Sequence, residues 1–405
     1  MNNFVFPMSK HFLSTLLGAA LIFLATPRLQ AAPYTLTPEA KISLITCGPW
    51  QGELYSAFGH SAIRVFDAQQ GIDWSFNYGT FDFNQPNFYL NFARGRNFYM
   101  LSVQEYPAFR DYYIRDNRYI HEQELNLDSV DRQALFNFLW NNALPENRSY
   151  RYDYFYDNCS TKPRDVIKQV FGDRISFEKF VVSESRTIRQ LTDLYLVHQP
   201  WGDLGIDICL GLLMDKDADA NVHMFLPDYL EKGFDYATIK NGTLSMPLVR
   251  EKKIVYQSSS ETHPFSFTHP LVIFGLLMIA LIVVSFIDIR NHEITGWVDK
   301  ILFTTTGLLG LLLVVLWFGT DHKAAAWNFN LLWAMPLNLF LPLIRSVLHR
   351  QRYFQAMTIL TVLLLATWPY LPQELNLMLI PVVIGLLFRY YVNFRLLSRV
   401  KIINS

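Results

Sequence analysis

The pattern of apolar and polar positions divides the chain into two unlike parts. Residues 33–268 mix polar and aromatic residues in short alternating runs between turn signals. From Pro270 onward, apolar blocks alternate with short polar loops, and each block approaches the roughly 20 residues that cross a bilayer core. This pattern predicts five membrane segments, at about 270–287, 301–319, 329–344, 354–371 and 375–392.

The N-terminus has the pattern of an export signal. An apolar run at Phe12–Ala25 follows a single early lysine, and the small residues Ala31 and Ala32 come after it. We expect residues 1–32 to be a signal peptide or, if uncleaved, an N-terminal anchor. The other predicted boundaries are an exported domain at 33–255, a linker at 256–269, a membrane domain of about five helices at 270–394 and a cytoplasmic tail at 395–405.

Arginine and lysine residues predict the orientation of the membrane segments, because positive loops stay in the cytoplasm. Two positive clusters should face the cytoplasm: Arg345, Arg350 and Arg352 in one loop, and Arg389, Arg395, Arg399 and Lys401 near the end. The loops 320–328 and 372–376 carry one lysine between them and should face outward. The export signal independently places the 33–268 region on the same outer side.

Composition and charge exclude some partners. Only 17% of residues are charged and the formal net charge is zero, so no nucleic-acid partner is expected. The acidic residues Asp215, Asp217 and Asp219 lack the glycine and terminal glutamate of a calcium loop. They predict a solvated loop and no metal site.

One of the three cysteines lies where a strand-like stretch becomes a helix. In "YDYFYDNCSTKPRDVIKQVFG" (152–172), Ser160 and Thr161 suit a helix cap, Pro163 the first turn and Gly172 the stop. Cys159 is therefore predicted at the helix N-terminus, where the backbone dipole favours a thiolate. Backbone amides of the same first turn are candidate oxyanion donors. Alternatively Cys159 is a buried structural cysteine or half of a disulfide; Cys47 and Cys209 could pair instead, and the sequence leaves this open.

A histidine strand strengthens the catalytic interpretation. In "HSAIRVF" (60–66), Ile63 and Val65 share one face, whereas His60 and Arg64 share the other. A histidine on this strand can supply the base for the thiol of Cys159, although a lone histidine is more often a polar surface residue. Histidine precedes cysteine here, which is the order of the circularly permuted papain-like group that includes NlpC-like and lecithin–retinol acyltransferase-like proteins.

Five stretches extend this likeness over nearly the whole chain: "LITCGPWQGELYSAFGHSAIRV" (44–65), "YDYFYDNCSTKPRD" (152–165), "WGDLGIDICLG" (201–211), "FLPDYL" (225–230) and "NFNLLWAMPLNL" (328–339). In this order, and followed by membrane segments, they resemble the Lnb-type lipoprotein N-acyltransferases. The resemblance implies a permuted papain-like α+β periplasmic domain and a helical membrane bundle in the bacterial inner membrane. It also implies transfer of an acyl chain from a membrane phospholipid to the N-terminal amine of a lipidated lipoprotein, with no cofactor.

The resemblance assigns His60 and Cys159 as the catalytic pair, with a Cys thioester as intermediate. Candidate supporting residues are Asn158, Arg64, Asn77 and Asp73, with Asn77 and Asp73 as guesses for the orienting third residue. Arg64 binds a phosphate or pairs with a carboxylate, and the simple ion pair is slightly favoured. His322 and Asn328 either line a lipid path on the outer side or stabilise the bundle, and the structural role is favoured.

Two other functional classes remain open on the sequence. A membrane-tethered NlpC-type cell-wall peptidase or amidase would use the same Cys-His pair, but the sequence offers no recognisable wall-binding module. A non-catalytic assembly factor would need Cys159 only for structure. An acyl group on Cys159 distinguishes the transferase from both.

Overall fold

The structure is a computed structural model in which residues 32–82, 85–260 and 266–403 are described. The predicted signal peptide or anchor lies outside these residues, apart from Ala32, and stays a prediction. Part of the predicted linker, residues 261–265, lies outside them as well.

The soluble part is built around an antiparallel sheet. Its strands, with those of a smaller sheet, are β1 Lys41–Cys47, β2 His60–Asp67, β3 Ile72–Thr80, β4 Phe98–Glu105, β5 Ile120–Leu125, β6 Ser149–Arg151, β7 Ile175–Ser176, β8 Thr238–Asn241, β9 Leu244–Pro247 and β10 Val249–Tyr256. Seven of them form one sheet in the order β10-β5-β1-β2-β3-β4-β6, and β7-β8-β9 form the other. Every pairing in both sheets is antiparallel.

Helices cover the sheet and then form the membrane region. In chain order they are α1 Phe88–Ala93, α2 Tyr106–Arg115, α3 Ser129–Ala143, α4 Thr161–Phe171, α5 Ile188–Leu196, α6 Pro200–Cys209, α7 Ala220–His223, α8 Pro227–Tyr236, α9 Pro270–Asn291, α10 Gly296–Gly319, α11 Val347–Thr367 and α12 Ile380–Ile403. The prediction of a mixed α and β domain followed by a helical membrane region is confirmed.

Strand β2 buries Ile63 and Val65 on one face, as its alternation predicts, and Ala62 on the other. Ile63 and Val65 pack into the main core with Phe136 of α3 and Ile167 of α4. Ala62, on the opposite face, packs into a smaller cluster under α2. The sheet therefore lies between α3 and α4 on one side and α2 on the other.

Of the five predicted membrane segments, three coincide with helices that qualify as membrane spans among the described residues. Three stretches are long and apolar enough to span a membrane: Pro270–Asn291, Gly296–Gly319 and Leu377–Ser398. Helix α11 is a further long helix with a polar first turn. The predicted helix at 329–344 is instead two short 3-10 segments, Phe329–Leu332 and Pro336–Leu343.

Proline and close packing explain this irregular segment. Pro336 and Pro342 each lack a backbone N–H and so disfavour a continuous α-helix. The segment packs so tightly on α10 that a Cβ on Gly310 would lie 1.9 Å from the Ala334 carbonyl oxygen.

The two outer loops contact the soluble domain, in agreement with the predicted orientation. In the 320–328 loop, the Ala324 carbonyl accepts a 2.8 Å hydrogen bond from Gly211 N–H. In the 372–376 loop, Gln373 Nε2 donates to the Leu210 carbonyl at 3.0 Å. Both loops therefore lie on the same side of the membrane region as Cys159.

One predicted cytoplasmic charge has another role. Arg389 is fully buried in α12, where its guanidinium pairs with Asp288 at 2.9 Å and with Asp299 at 2.7 Å. A buried guanidinium in a membrane helix requires such partners. Arg389 therefore joins α12 to α9 and α10 and does not act as a tail charge.

Candidate active site

Helix α4 begins with a cap that fixes the position of Cys159. Asn158 Oδ1 accepts hydrogen bonds from the backbone N–H groups of Ser160 at 2.8 Å and Thr161 at 2.9 Å. Asn158 Nδ2 donates to the Phe225 carbonyl at 2.8 Å, which ties this turn to the segment before α8. Ser160 occupies the N-cap position, but the side chain that accepts from the first backbone N–H groups is that of Asn158, which positions Cys159.

A glycine on β3 makes room for the cysteine. Gly79 has a φ of +87°, and a Cβ there would lie 3.4 Å from Cys159 Cβ and 3.2 Å from the Tyr152 ring. The register of β3 with β4 is interrupted between Asn77 and Thr80, which places Gly79 in an irregular stretch. Cys159 thus lies against Gly79 of β3, two residues after Asn77 in the chain.

His60 and Cys159 are brought to the same end of the sheet. The backbone of Ser61, the residue after His60, lies close enough to the Cys159 thiol to lower its pKa. The hydroxyls of Ser61 and Ser160, each next in sequence to one member of the pair, are 3.1 Å apart. Both His60 and Cys159 keep some accessible surface despite dense surroundings, as a site for a substrate requires.

The His60 ring is held in an aromatic environment. It stacks on Tyr113, with ring centroids 6.1 Å apart and planes 10° apart, and it also contacts Phe109. Burial and the positive charge of Arg118 lower the pKa of His60 to about 4, and Asn77 opposes them. His60 is therefore a neutral imidazole near neutral pH, which is the form that can accept a proton.

Cys159 is a neutral thiol at rest, contrary to the prediction of a favoured thiolate. Burial raises the pKa of Cys159, and this effect exceeds the opposing contributions of the Ser61 backbone, the Ser160 hydroxyl and the charge of Arg118. The helix amides cannot add much, because Asn158 already occupies those of Ser160 and Thr161. The site thus needs a base to activate the thiol.

Arg118 is the site residue that sequence reasoning missed. Its guanidinium is buried, donates from Nε to the Gly48 carbonyl at 2.7 Å, and lies 4.4 Å from the Tyr113 ring centroid. Its positive charge lowers the pKa of both His60 and Cys159. Arg118 therefore favours negative charge that develops at the sulfur or at an attached oxygen. Its place between α2 and β5 resembles a solvated turn in the sequence, so no local signal marked it.

Of the two candidates for the orienting residue, the structure brings only Asn77 to His60. The Asn77 side chain interacts with the imidazole and raises its pKa. The contact is looser than an ordinary hydrogen bond, because the buried Asn77 Oδ1 has no well-aligned donor among the described residues. Asn77 Nδ2 donates to the Ser75 carbonyl at 3.2 Å, which orients Oδ1.

Asp73 and Arg64 instead form an ion-pair network on the sheet. Arg64 Nε lies 2.7 Å from Asp73 Oδ1, and Arg64 Nη1 lies 3.0 Å from Glu122 Oε2. The guanidinium also covers the Tyr106 ring at 3.8 Å. The guess that Asp73 orients His60 is wrong, and Arg64 takes the simple ion-pair role that was favoured.

All three cysteines lie in the described part of the chain and are free. Cys47 is fully buried opposite His60 in the β1–β2 register, and burial raises its pKa. Cys209 ends α6 near the membrane loops. The structure therefore does not form the Cys47–Cys209 disulfide that the sequence left open.

His322 and Asn328 join the two parts of the protein. Asn328 is buried, and its Nδ2 donates to the Ile208 carbonyl at 2.7 Å. His322 Nε2 lies 3.1 Å from the Phe92 carbonyl oxygen. These contacts fit the structural alternative better than a lipid-lining role.

Three carboxylates at the same junction lie within 4.8 Å of one another: Asp193, Asp203 and Asp207. Burial, then the charges of Asp207 and Asp203, raise the pKa of Asp193 well above its ordinary value. Asn376 Nδ2 donates to Asp203 and Asp207 at 2.9 Å each. The cluster thus joins α5 and α6 to the 372–376 loop.

The prediction of a solvated acidic loop is wrong for Asp215. Its carboxylate is buried and accepts from Arg189 Nε at 2.9 Å. Arg189 is itself fully buried and also bonds Asp207 at 2.8 Å. A fully buried guanidinium needs such carboxylates, so Asp215 belongs to the core.

Two family models match the chain. The model of the Lnb N-terminal periplasmic domain matches residues 34–193, and that of the Lnb transmembrane domain matches residues 261–401. The chain belongs to the Lnb family. It is accordingly a membrane acyltransferase with a periplasmic domain. Neither a curated protein nor a solved structure matches the chain significantly.

The role of Asn77 can be tested by substitution. We expect Asn77→Ala to slow acyl transfer by about 10-fold or more, because the His60 ring loses the partner that orients it. Asn77→Asp should recover part of the rate and raise the midpoint of the acidic limb, since a carboxylate stabilises the imidazolium. The measurement is a pH–rate profile for each variant; identical profiles for wild type and both variants would remove Asn77 from the site.

Proposed function

We propose that the protein is a lipoprotein N-acyltransferase that uses a Cys159 thioester. The observation that carries this proposal is the meeting of Cys159 with the His60 end of β2, in a domain attached to the outer loops of the membrane region. The acyl donor would be a membrane glycerophospholipid, and the acceptor would be the N-terminal amine of a lipidated lipoprotein. The proposed setting is the bacterial inner membrane.

The soluble domain is proposed to be a permuted papain-like fold. The supporting features are a histidine strand that precedes the cysteine helix in the chain, and an asparagine on the next strand that contacts the histidine. In this arrangement His60, Asn77 and Cys159 take the roles of base, orienting residue and nucleophile.

In the first step, His60 takes the proton of the Cys159 thiol while the sulfur attacks the ester carbonyl of the donor lipid. A C–S bond forms, the ester C–O bond breaks, and the protonated His60 returns the proton to the departing lipid oxygen. The products are an acyl-Cys159 thioester and a lysophospholipid.

In the second step, the lipoprotein amine attacks the thioester carbonyl. A C–N bond forms and the C–S bond breaks, while His60 accepts a proton from the amine and returns it to the sulfur. The amide product leaves and the free thiol is restored, so the two steps balance without an oxidant or a cofactor.

The oxyanion of either step needs a donor other than the first amides of α4. Those of Ser160 and Thr161 are directed at Asn158 Oδ1, so the sequence-based assignment of these groups does not hold. The charge of Arg118 and the backbone N–H of Cys159 are the remaining candidates near the sulfur.

The experiment that tests this function looks for the thioester itself. The purified full chain is incubated with phospholipid, and Cys159 peptides are analysed by mass spectrometry before and after hydroxylamine. We expect an acyl mass on Cys159 that hydroxylamine removes and that an amine-bearing lipopeptide also discharges. Cleavage of cell-wall fragments without acylation would support the peptidase, and neither reaction would support a non-catalytic role.

A further inference from the structure

An exposed apolar patch lies at the end of the sheet where His60 and Cys159 are found. It is formed by side chains that are 44–75% exposed, namely Tyr55, Tyr89, Leu90, Phe92 and Phe98. Tyr55 lies in the β1–β2 connection, Tyr89, Leu90 and Phe92 lie in α1 of the β3–β4 connection, and Phe98 is the first residue of β4. In an antiparallel sheet, the β1–β2 and β3–β4 connections lie at the same end of the strands, so these side chains lie together. We call this surface the membrane-facing patch.

Contacts with the membrane region show where the patch lies relative to the bilayer. The Arg94 carbonyl accepts a 2.8 Å hydrogen bond from Asp321 N–H, two residues after α10 ends. A Cβ on Gly95 would lie 2.8 Å from the backbone nitrogen of His322, so the two chains touch directly. Since α10 is one of the apolar spanning stretches, the patch lies where that helix leaves the bilayer.

Charge beside the patch fits a lipid headgroup. Arg96 and Arg151 share the single carboxylate of Asp321, at 3.1 and 2.9 Å. Two guanidiniums on one carboxylate leave positive charge next to exposed aromatic rings, which is the combination found at membrane interfaces.

A row of rings connects the patch with the cysteine. Tyr55 contacts Phe81 at 5.9 Å between centroids, Phe81 contacts Tyr99 at 5.4 Å, and Tyr99 contacts Tyr152 at 4.3 Å. Tyr152 and Cys159 both lie against Gly79. The row is therefore a continuous series of aromatic contacts from the patch to the turn that carries the thiol.

We propose that the membrane-facing patch inserts into the outer leaflet and that the ring row guides one acyl chain of a glycerophospholipid to Cys159. This inference rests on the proposed function and adds the surface through which the donor arrives. The site would accordingly bind the acyl chain of the donor lipid as well as its ester group.

The test compares two donors with the full chain reconstituted in vesicles of phosphatidylethanolamine and phosphatidylglycerol. One donor is the long-chain phosphatidylglycerol of the vesicle, and the other is water-soluble dibutanoyl phosphatidylglycerol. For Tyr89→Ser/Leu90→Ser, the ratio of long-chain to short-chain acylation of Cys159 should fall about tenfold or more. The reason is that burying one large apolar side chain is worth at least about that factor.

A control variant removes a tyrosine and an aliphatic residue of similar exposure at the opposite end of the sheet. Val130 and Tyr236 are 75% and 57% exposed, and they lie near the Leu125 end of β5. Val130→Ser/Tyr236→Ser should leave both rates unchanged. Equal slowing of both donors by the Tyr89/Leu90 variant, with normal folded yield, would overturn the proposal.

A photocrosslinker at position 89 detects contact between the patch and lipid independently of enzyme activity. Benzoylphenylalanine in place of Tyr89 should crosslink to an alkyne-tagged phosphatidylglycerol in the vesicle, and the same group at Val130 should not. Crosslinking at position 89 to a second copy of the chain or to a lipoprotein polypeptide would overturn the lipid assignment. If wild type acylates Cys159 from neither donor, the proposed function fails, while a lipid crosslink at position 89 still supports the docking surface.

Discussion

Cys159→Ser is expected to abolish acyl transfer while the protein stays folded and inserted. A serine hydroxyl is a far weaker nucleophile than a thiol beside the same base, and it cannot form the thioester that an amine later discharges. The cap at Asn158 and the contact of the 158–161 turn with Phe225 do not involve the sulfur, so the fold should persist. The measurement is lipopeptide acylation per folded molecule, with folded protein quantified by gel filtration.

The other two cysteines provide the controls for this substitution. Cys47→Ser places a hydroxyl at a fully buried position, which costs about 1–3 kcal/mol of stability and should lower yield but not activity per folded molecule. Cys209→Ser, at the end of α6, should change little. If Cys159→Ser keeps full activity and Cys47→Ser loses it, then Cys47, which faces His60 across β1 and β2, is the nucleophile.

Local signals in the sequence predicted the elements that present the two main residues. The alternation around Ile63 and Val65 identified β2 and its two faces, since burial on a strand follows a period of two. Pro163 and Gly172 marked α4, which runs from Thr161 to Phe171. Such features depend on near neighbours in the chain, and so they can be read without a structure.

The features that depend on distant parts of the chain were missed or misread. The charge of Arg118 acts on Cys159 only because α2 packs across the sheet, and nothing near residue 118 indicates this. The charge state of Cys159 was misjudged for the same reason, since burial by other elements exceeds the local effect of the helix. The segment at 329–344 is apolar like its neighbours, but two prolines and contact with Gly310 determine its conformation.

His60→Ala is expected to slow formation of the Cys159 thioester by about 10²–10⁴-fold, the usual contribution of a general base. The effect should lie at the upper end, because burial keeps the resting Cys159 as a thiol and leaves few thiolates to react unaided. Aminolysis of the preformed thioester should slow as well, since His60 accepts a proton in that step too. Time courses of acyl-Cys159 formation and decay separate the two effects.

The pH dependence follows from the low pKa of His60. With a pKa of about 4 instead of the ordinary 6.5, His60 stays unprotonated in the folded protein down to mildly acidic pH. The wild-type rate of thioester formation should therefore be nearly flat from pH 8 to about 6 and fall below about 5. Stability has the matching sign: the unfolded chain gains the proton first, so acidification from 6.5 to about 4 destabilises the fold, by about 3 kcal/mol in all.

A histidine in the same sheet gives the matched control for both results. His121 lies on β5, where its Nδ1 is 3.0 Å from Glu231 Oε1, and it makes no described contact with Cys159. His121→Ala should lower folded yield at most, with an unchanged rate per folded molecule. His60→Ala should lose both the rate and the acidic limb with a midpoint near 4. A His60→Ala rate equal to that of wild type would remove His60 from the site, because the neutral thiol of Cys159 would then be activated without this histidine.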